Sequence, residues 1–174
     1  MSSVGVPIPA LDPPWSAAVK IAVVSSLDAL PGWRRFAHEV AALAQKGGHS
    51  FPLEEQPPGR DDTEGERTAF LYRHADRVGG YLCLTSKIVT GYRELSAGYR
   101  HATDAERVMR PCIMIVWVDV RLRGCGVARQ LVDEAARCTG VMPSGLAWAE
   151  PFTDSGFLLA QSIAPGGLWI ADYS

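Results

Sequence analysis

The spacing of apolar residues in the first half of the chain predicts a strand, a helix and a hairpin. Residues 18–25 form a β-branched run that predicts a first strand. A helix is predicted to begin at Pro31 and to end at Gly47-Gly48, because apolar residues recur there three and four positions apart. These residues are Trp33, Phe36, Val40 and Leu43. Two later apolar runs, residues 68–73 and 78–89, are joined by residues 74–77 and predict an antiparallel hairpin.

The densest apolar run in the chain, residues 112–120, predicts a central strand that is buried on both faces. Before it, Gly91-Tyr92-Arg93 is predicted to break the second hairpin strand, and residues 103–110 are predicted as a short helix. After it, residues 126–138 have helical spacing and Gly140 closes the helix. The sequence therefore predicts a strand-turn-helix unit.

The last third of the chain continues the alternation. A short strand is predicted at residues 145–149, a helix at 156–163, a turn at 165–167 and a final strand at 168–173. The whole order places the chain in the α/β (α+β) class, as a mixed sheet flanked by helices.

A length of 174 residues predicts one domain, because cores tend to split only beyond roughly 250 residues. We assign residues 18–174 to it and the proline-rich residues 1–17 to an extended arm. Residues 50–66 combine prolines, glycines and acidic residues, which predicts a mobile loop.

Composition narrows the class of function. The net charge of −2 argues against nucleic-acid binding. The four cysteines form no C-x-x-C pair, so neither a zinc site nor a disulfide scaffold is predicted, and reduced, mostly buried thiols are expected. No window approaches the roughly 20 apolar residues of a membrane span, and no signal sequence is recognised, so a cytoplasmic location is predicted.

The segment Arg121-Leu122-Arg123-Gly124-Cys125-Gly126 joins the central strand to the following helix. Its glycines allow a ligand to approach the backbone closely, and free amides at a helix N-terminus favour a diphosphate. An ordinary tight turn is the alternative. A dinucleotide-binding fingerprint is not met, because Arg129 stands where its third glycine would be, and a P-loop lysine is absent.

This segment resembles the R-x-x-G-x-G motif of GNAT acetyltransferases, which implies the GNAT fold, a mostly antiparallel central sheet and acetyl-CoA as cofactor. The resemblance implies that backbone groups of residues 117–120 pair with the pantetheine arm. For the Trp117 side chain, core packing is the alternative. The implied cofactor-binding residues are Trp117, Val118, Asp119, Val120, Arg121, Arg123, Gly124, Cys125, Gly126, Val127 and Ala128.

Residues 68–173 also resemble the acetyltransferase domain of the ESCO/Eco1 cohesin acetyltransferases. The matching pieces are Val78-Gly79-Gly80-Tyr81-Leu82, Gly91-Tyr92-Arg93, Val116-Trp117-Val118, Ala149-Glu150-Pro151, Asp154 and Gly156-Phe157-Leu158-Leu159-Ala160. The resemblance implies that Glu150, in place of the family's catalytic aspartate, is a general base. The alternative for Glu150 is a solvated turn carboxylate. The family's serine aligns with Met114, and its zinc finger is absent.

Four residues between the hairpin and the central strand, Tyr92, Arg93, Tyr99 and His101, suit a loop that faces an acceptor; a surface network is the alternative. We name Tyr92, Arg93 and Asp154 as substrate-binding residues. In GNAT enzymes a tyrosine often reprotonates the departing thiolate, and Tyr173 is the candidate here, with strand packing as the alternative.

These observations predict an N-acetyltransferase in which an amine attacks acetyl-CoA directly, and the resemblance to the ESCO/Eco1 domain implies a protein lysine as that amine. Cys125 is not expected to be a nucleophile, because it would face the phosphates. Two alternatives stay open: a CoA-binding regulatory module without turnover, and an interaction domain that uses the arm and the acidic loop. A monomer or a homodimer is expected.

Overall fold

The computed structural model describes residues 5–8, 20–26, 31–47, 66–94, 96–150 and 153–172. Most of the predicted arm 1–17 and, apart from Glu66, the predicted mobile loop 50–66 lie outside these residues, and so does Tyr173.

The described residues form nine strands and three α-helices. The strands are β1 (Val6–Pro7), β2 (Ile21–Ser25), β3 (Thr68–His74), β4 (Arg77–Ile88), β5 (Gly91–Glu94), β6 (Gly98–His101), β7 (Met109–Val118), β8 (Ala147–Glu150) and β9 (Leu168–Asp172). The helices are α1 (Pro31–Gly47), α2 (Val127–Thr139) and α3 (Asp154–Ile163), with 3-10 turns at Val120–Leu122 and Pro143–Gly145.

All the strands belong to one mixed sheet with the order β2-β3-β4-β7-β8-β9-β5-β6, and β1 pairs with β4 beside this path. The β7–β8 and β8–β9 pairs are parallel, and the other pairs are antiparallel. The mostly antiparallel sheet that was predicted is therefore confirmed, and its parallel part lies next to the strand-turn-helix unit.

Helices cover both faces of the sheet. On one face, α2 and α3 pack over a core that includes Phe70, Leu82 and Leu131. On the other face, α1 packs through Val40 over Leu71. The buried stripe of each helix follows its apolar spacing, so the sequence pattern explains which side of each helix meets the sheet.

The helix from Pro31, the hairpin and the strand-turn-helix unit are confirmed, with Gly140 ending α2 in a left-handed conformation at φ 69°. The predicted helix over residues 103–110 is wrong. Thr103 and Glu106 exchange side-chain bonds to each other's backbone amides, but the chain makes a single turn and then enters β7. Pairing of Met109 with Ile88 draws it into the sheet.

The predicted end of the second hairpin strand before Gly91-Tyr92-Arg93 is confirmed, because β4 ends at Ile88, and these three residues then begin a separate strand, β5. The chain leaves β4 at Ile88, and Thr90 donates a backbone hydrogen bond to Ile170 O at 2.9 Å, which brings the chain to the edge of β9. The predicted acceptor-facing loop is thus a β5–β6 hairpin. Gly91 leaves room for the Tyr99 ring, because a Cβ at position 91 would lie 2.3 Å from it and would displace this exposed side chain.

Leu131→Ala is expected to lower the free energy of unfolding by about 2–5 kcal/mol, because the leucine is 0% exposed and its loss leaves a cavity between α2 and the sheet. Urea unfolding measures the change. Leu158→Ala is the matched control, since Leu158 is 65% exposed and its truncation should cost less than about 0.5 kcal/mol. Equal losses in the two variants would contradict this packing.

Candidate functional site

The parallel strands β7 and β8 separate toward their carboxyl ends. Cys112 pairs with Ala147 and Ile113 with Trp148, and no further β7–β8 pair is found in the described residues. Residues 115–118 of β7 remain paired with β4 on their other side, while the end of β8 pairs with β9. The backbone edges of the two strands therefore border a wedge that opens toward the end of the sheet.

The separation starts at an irregularity in β7. Ile115 lies opposite Cys83 and Ile113 lies opposite Leu84, so Met114 is an extra residue in the β4–β7 pairing. Such a bulge bends a strand and increases its twist. Met114 is half-buried and packs against the core on the α1 side of the sheet. The residue aligned with the family's serine therefore lies at the narrow end of the wedge.

The turn after β7 is held in a conformation that glycine alone adopts easily. Asp119 N donates to Gly79 O at 2.9 Å, and the 3-10 turn Val120–Leu122 follows. Gly124 and Gly126 then have φ angles of 77° and 78°, in the left-handed region. A Cβ at either glycine would meet nothing within 4 Å, so the space above the turn is open.

Backbone amides cluster at the end of this turn. Gly126 is the N-cap of α2 and provides no side-chain cap, and the first helical turn contains no acidic residue. Cys125 N donates to Leu122 O at 3.3 Å, whereas for the amides of Gly124, Gly126, Val127 and Ala128 no acceptor is found within the described chain. Amides left free at a helix N-terminus, together with the helix dipole, suit an anion such as a diphosphate.

The two arginines of the turn fold back onto the protein. Arg121 donates to Asp119 Oδ1 from its backbone N at 3.0 Å and from Nε at 3.2 Å. Burial acts to raise the Asp119 pKa, but hydrogen bonds from the Arg121 and Gly5 amides and from the Arg121 guanidinium leave it lowered. Arg123 Nε donates to Val118 O at 3.2 Å, so this carbonyl, expected to face pantetheine, already has a donor.

The Trp117 side chain is half-buried and packs on the α1-side core, in agreement with the core-packing alternative. Val120 is exposed on the turn, and Cys125 is exposed beside it. Val127 is buried against β4: a Cβ on Gly80 would lie 2.9 Å from its Cγ1. Gly80 therefore brings the start of α2 close to the sheet.

Glu150, at the end of β8, forms an ion pair with Arg93 of β5. Arg93 Nη2 lies 2.6 Å from Glu150 Oε1, and the two side chains are 34% and 28% exposed. The Arg93 guanidinium also lies 6.0 Å from the centre of the Phe157 ring. Its Nε is buried without a hydrogen-bond partner in the described part of the chain. The pair fixes the carboxylate and leaves it partly open to solvent.

A cavity of about 260 Å³ adjoins this ion pair, between the β5–β6 hairpin and α3. It is lined by Arg93, Glu94, Gly98, Phe157, Gln161 and Leu168. Its lining combines the apolar residues Phe157 and Leu168 with Arg93, whose guanidinium is paired to Glu150, and this mixture suits a substrate that has an aliphatic stem and a charged end.

The other predicted substrate residues do not line the cavity, although the Tyr99 ring lies 5.9 Å from the Arg93 guanidinium. The Tyr92 ring packs on Trp169 with centroids 4.7 Å apart, and successive strand residues face opposite sides of a sheet, so Tyr92 does not reach the cavity. Asp154 is exposed at the start of α3, after the N-cap Thr153, where an acidic residue favours the helix dipole. Tyr99 and His101 pack edge to face at 5.5 Å.

Sequence reasoning named Arg93 and Glu150 without pairing them, and it missed Glu94, Phe157, Gln161 and Leu168 as cavity residues. The sequence contains little information about these cavity residues, because the cavity forms only when β5 pairs with β9 and α3 covers the two strands. It also missed the hydrogen bond from Gly5 N to Asp119 Oδ2, which joins residues 114 positions apart.

Of the four cysteines, two are buried and two are exposed, so the expectation of mostly buried thiols holds for half of them. Burial raises the pKa of Cys83 and raises that of Cys112 to about 12. Within the described ranges, no three potential metal ligands cluster and no helix has the length and apolarity to cross a bilayer.

The fold has a counterpart among solved structures. The xEco2 acetyltransferase domain superposes with a TM-score of 0.61 and 20% identity, over 88% of this chain and 91% of that one. A ribosomal-protein-alanine N-acetyltransferase from Brucella melitensis biovar Abortus 2308 has a TM-score of 0.49 and 19% identity, over 90% and 96%. No protein-family model and no curated protein matches the sequence. The superposition on the xEco2 domain confirms the GNAT-type fold and the resemblance to the ESCO/Eco1 domain at the level of fold.

Proposed function

We propose that the protein is an acetyl-CoA-dependent N-acetyltransferase. The proposal rests on one observation: amides without an acceptor lie at the start of α2, after the turn that follows β7, and β7 and β8 open into a wedge at this end of the sheet. A diphosphate needs the amides, and an extended amide-bearing arm needs a strand edge beside them. The fold shared with an acetyltransferase domain supports the same reading.

In this proposal the coenzyme diphosphate binds the amides of Gly124, Gly126, Val127 and Ala128. The pantetheine arm lies along the free edge of β7 and follows residues 114–117, because Arg123 already donates to the Val118 carbonyl. The thioester then lies in the wedge, close to the point where the parallel pairing of β7 and β8 stops. Backbone N–H groups there donate to the oxyanion that forms on the thioester carbonyl and stabilise it.

The acceptor ammonium group loses a proton to Glu150, and the resulting amine attacks the thioester carbonyl, so that a C–N bond forms and the C–S bond breaks. The products are an amide and coenzyme A. Arg93 acts as a positioning residue, because its ion pair fixes the direction of the Glu150 carboxylate. Met114 brings no hydroxyl to the wedge, so Glu150 acts without the partner serine of the family. Tyr173 is kept as the proposed acid that protonates the thiolate.

The cavity beside Arg93 is the proposed acceptor site. Phe157 and Leu168 would pack on an aliphatic stem, and the Glu150 carboxylate, which is paired to Arg93 of the cavity lining, would attract an ammonium group. A lysine side chain has both features. The proposed acceptor is therefore a lysine, presented by a protein or a peptide.

Coenzyme A is expected to protect Cys125 from alkylation, because this exposed thiol lies in the turn that would hold the diphosphate. Cys138 is the internal control, since it is also exposed but lies at the far end of α2. Mass spectrometry after brief alkylation measures both sites. Equal labelling of Cys125 with and without saturating coenzyme would contradict the proposed placement.

A second candidate is a CoA-binding module without turnover. Met114 in place of the family's serine favours it. In that case the protein would bind coenzyme A with measurable heat, but it would release no thiol with any amine.

A further inference from the structure

Residues 5–8 are tied to the tip of the β3–β4 hairpin and to the end of β7. Val6 and Pro7 pair with Val78 and Arg77, and Arg77 Nη2 donates to Gly5 O at 2.7 Å. Gly5 has a φ angle of 62°, and a Cβ there would lie 1.8 Å from Val78 O. The backbone of this segment therefore packs so closely on β4 that position 5 accepts only glycine.

A single carboxylate joins this segment to the turn after β7. Asp119 Oδ2 accepts from Gly5 N at 2.8 Å, and Oδ1 accepts from Arg121 N at 3.0 Å. Asp119 is 8% exposed, so losing one of these donors would leave a buried charge less well satisfied. The order of the turn and the docking of residues 5–8 thus depend on the same group.

We propose that the docking of residues 5–8 helps to order the anion-binding site, and that Asp119 is the positioning residue that couples this segment to the site. With the segment docked, Asp119 is held in place and caps the 3-10 turn Val120–Leu122, which sets the direction of the amides that follow. The identity of the anion as the coenzyme diphosphate rests on the proposed function. By linkage, coenzyme binding tightens the docking of residues 5–8.

Gly5→Ala in the full chain tests the coupling, because its methyl group displaces the segment without touching the turn. In coenzyme-free protein, hydrogen exchange should rise at the amides of Arg121, Leu122 and Cys125, which are hydrogen-bonded in the wild-type turn. The dissociation constant of coenzyme A should increase about five-fold or more. In the reaction, KM for acetyl-CoA should rise while kcat stays unchanged. Gly140→Ala is the control: its φ is 69° and a Cβ there meets nothing within 4 Å, so neither readout should change.

Asp119→Ala closes a double-mutant cycle. If Gly5 acts through Asp119, Gly5→Ala should weaken coenzyme binding no further in the Asp119→Ala background. Additive effects of the two substitutions would overturn the proposal. It would also be overturned if the Gly5→Ala protein exchanged freely at residues 5–8 while the amides of the turn exchanged as slowly as in the wild type. If the wild type binds no coenzyme A, the proposed function is wrong. Hydrogen exchange in the turn of the Gly5→Ala protein would still show whether residues 5–8 and the turn are coupled.

Discussion

Replacing Gly126 with aspartate is expected to weaken coenzyme A binding by about 10- to 100-fold, or about 1.4–2.8 kcal/mol. The new carboxylate would lie at the N-cap of α2, where it would bond to the helix amides and repel the diphosphate. Aspartate tolerates the left-handed conformation of this position better than most residues, and there is open space for its side chain. Calorimetric titration with coenzyme A measures the loss.

Two controls separate charge from shape. Gly126→Asn introduces a side chain of the same size without the charge, so it should retain more affinity than Gly126→Asp. Gly140→Asp puts the same charge at the other end of α2, where φ is 69° and the space is also open, and should leave coenzyme affinity unchanged. Equal affinities of Gly126→Asp and Gly126→Asn would contradict a diphosphate site at this helix start.

Sequence predicted the strand-turn-helix unit because its determinants are local. The apolar run of β7, the two left-handed glycines and the spacing of α2 lie within one stretch of chain, and Gly140 ends the helix through its own backbone bonds. Each feature restricts the conformation of its neighbours, so no distant contact is needed to recognise the unit.

The β5–β6 hairpin depended on contacts between distant parts of the chain. Thr103 and Glu106 do form the reciprocal bonds of a helix start, yet Glu106 also pairs with Arg100, and the chain turns into β7. The Arg100 hydrogen bonds and the Thr103 amide lower the pKa of Glu106 to about 2. The local bonds of a helix start are therefore present, but pairing of Met109 with Ile88 in the sheet keeps the chain from continuing as a helix.

The candidate site was predictable in its residue types and not in its pairings. Glu150 and Arg93 meet because β9 lies between β8 and β5, and this strand order follows from no local pattern. The bond between Gly5 and Asp119 depends on β1 adding to β4.

Glu150→Gln is expected to lower kcat by about 10²- to 10⁴-fold, the usual contribution of a general base. Glutamine keeps an oxygen that can accept from Arg93 Nη2, so the geometry of the pair should survive. Only the ability to take the proton of the amine is lost. Residual activity should therefore rise with pH toward about 10.4, where a lysine ammonium deprotonates in solution. Thiol release with acetyl-CoA and a panel of amines, including lysine peptides, measures these rates.

Asp172→Asn is the matched control for Glu150→Gln. Asp172 pairs with Glu150 across the parallel β8–β9 ladder and is exposed, so its replacement removes one negative charge beside the site and leaves the base in place. The control should keep a wild-type rate, and both variants should bind coenzyme A as the wild type does. If Glu150→Gln released thiol at the wild-type rate, Glu150 would not be the base. If the wild type bound coenzyme A but acetylated nothing, the wedge between β7 and β8 would serve binding alone.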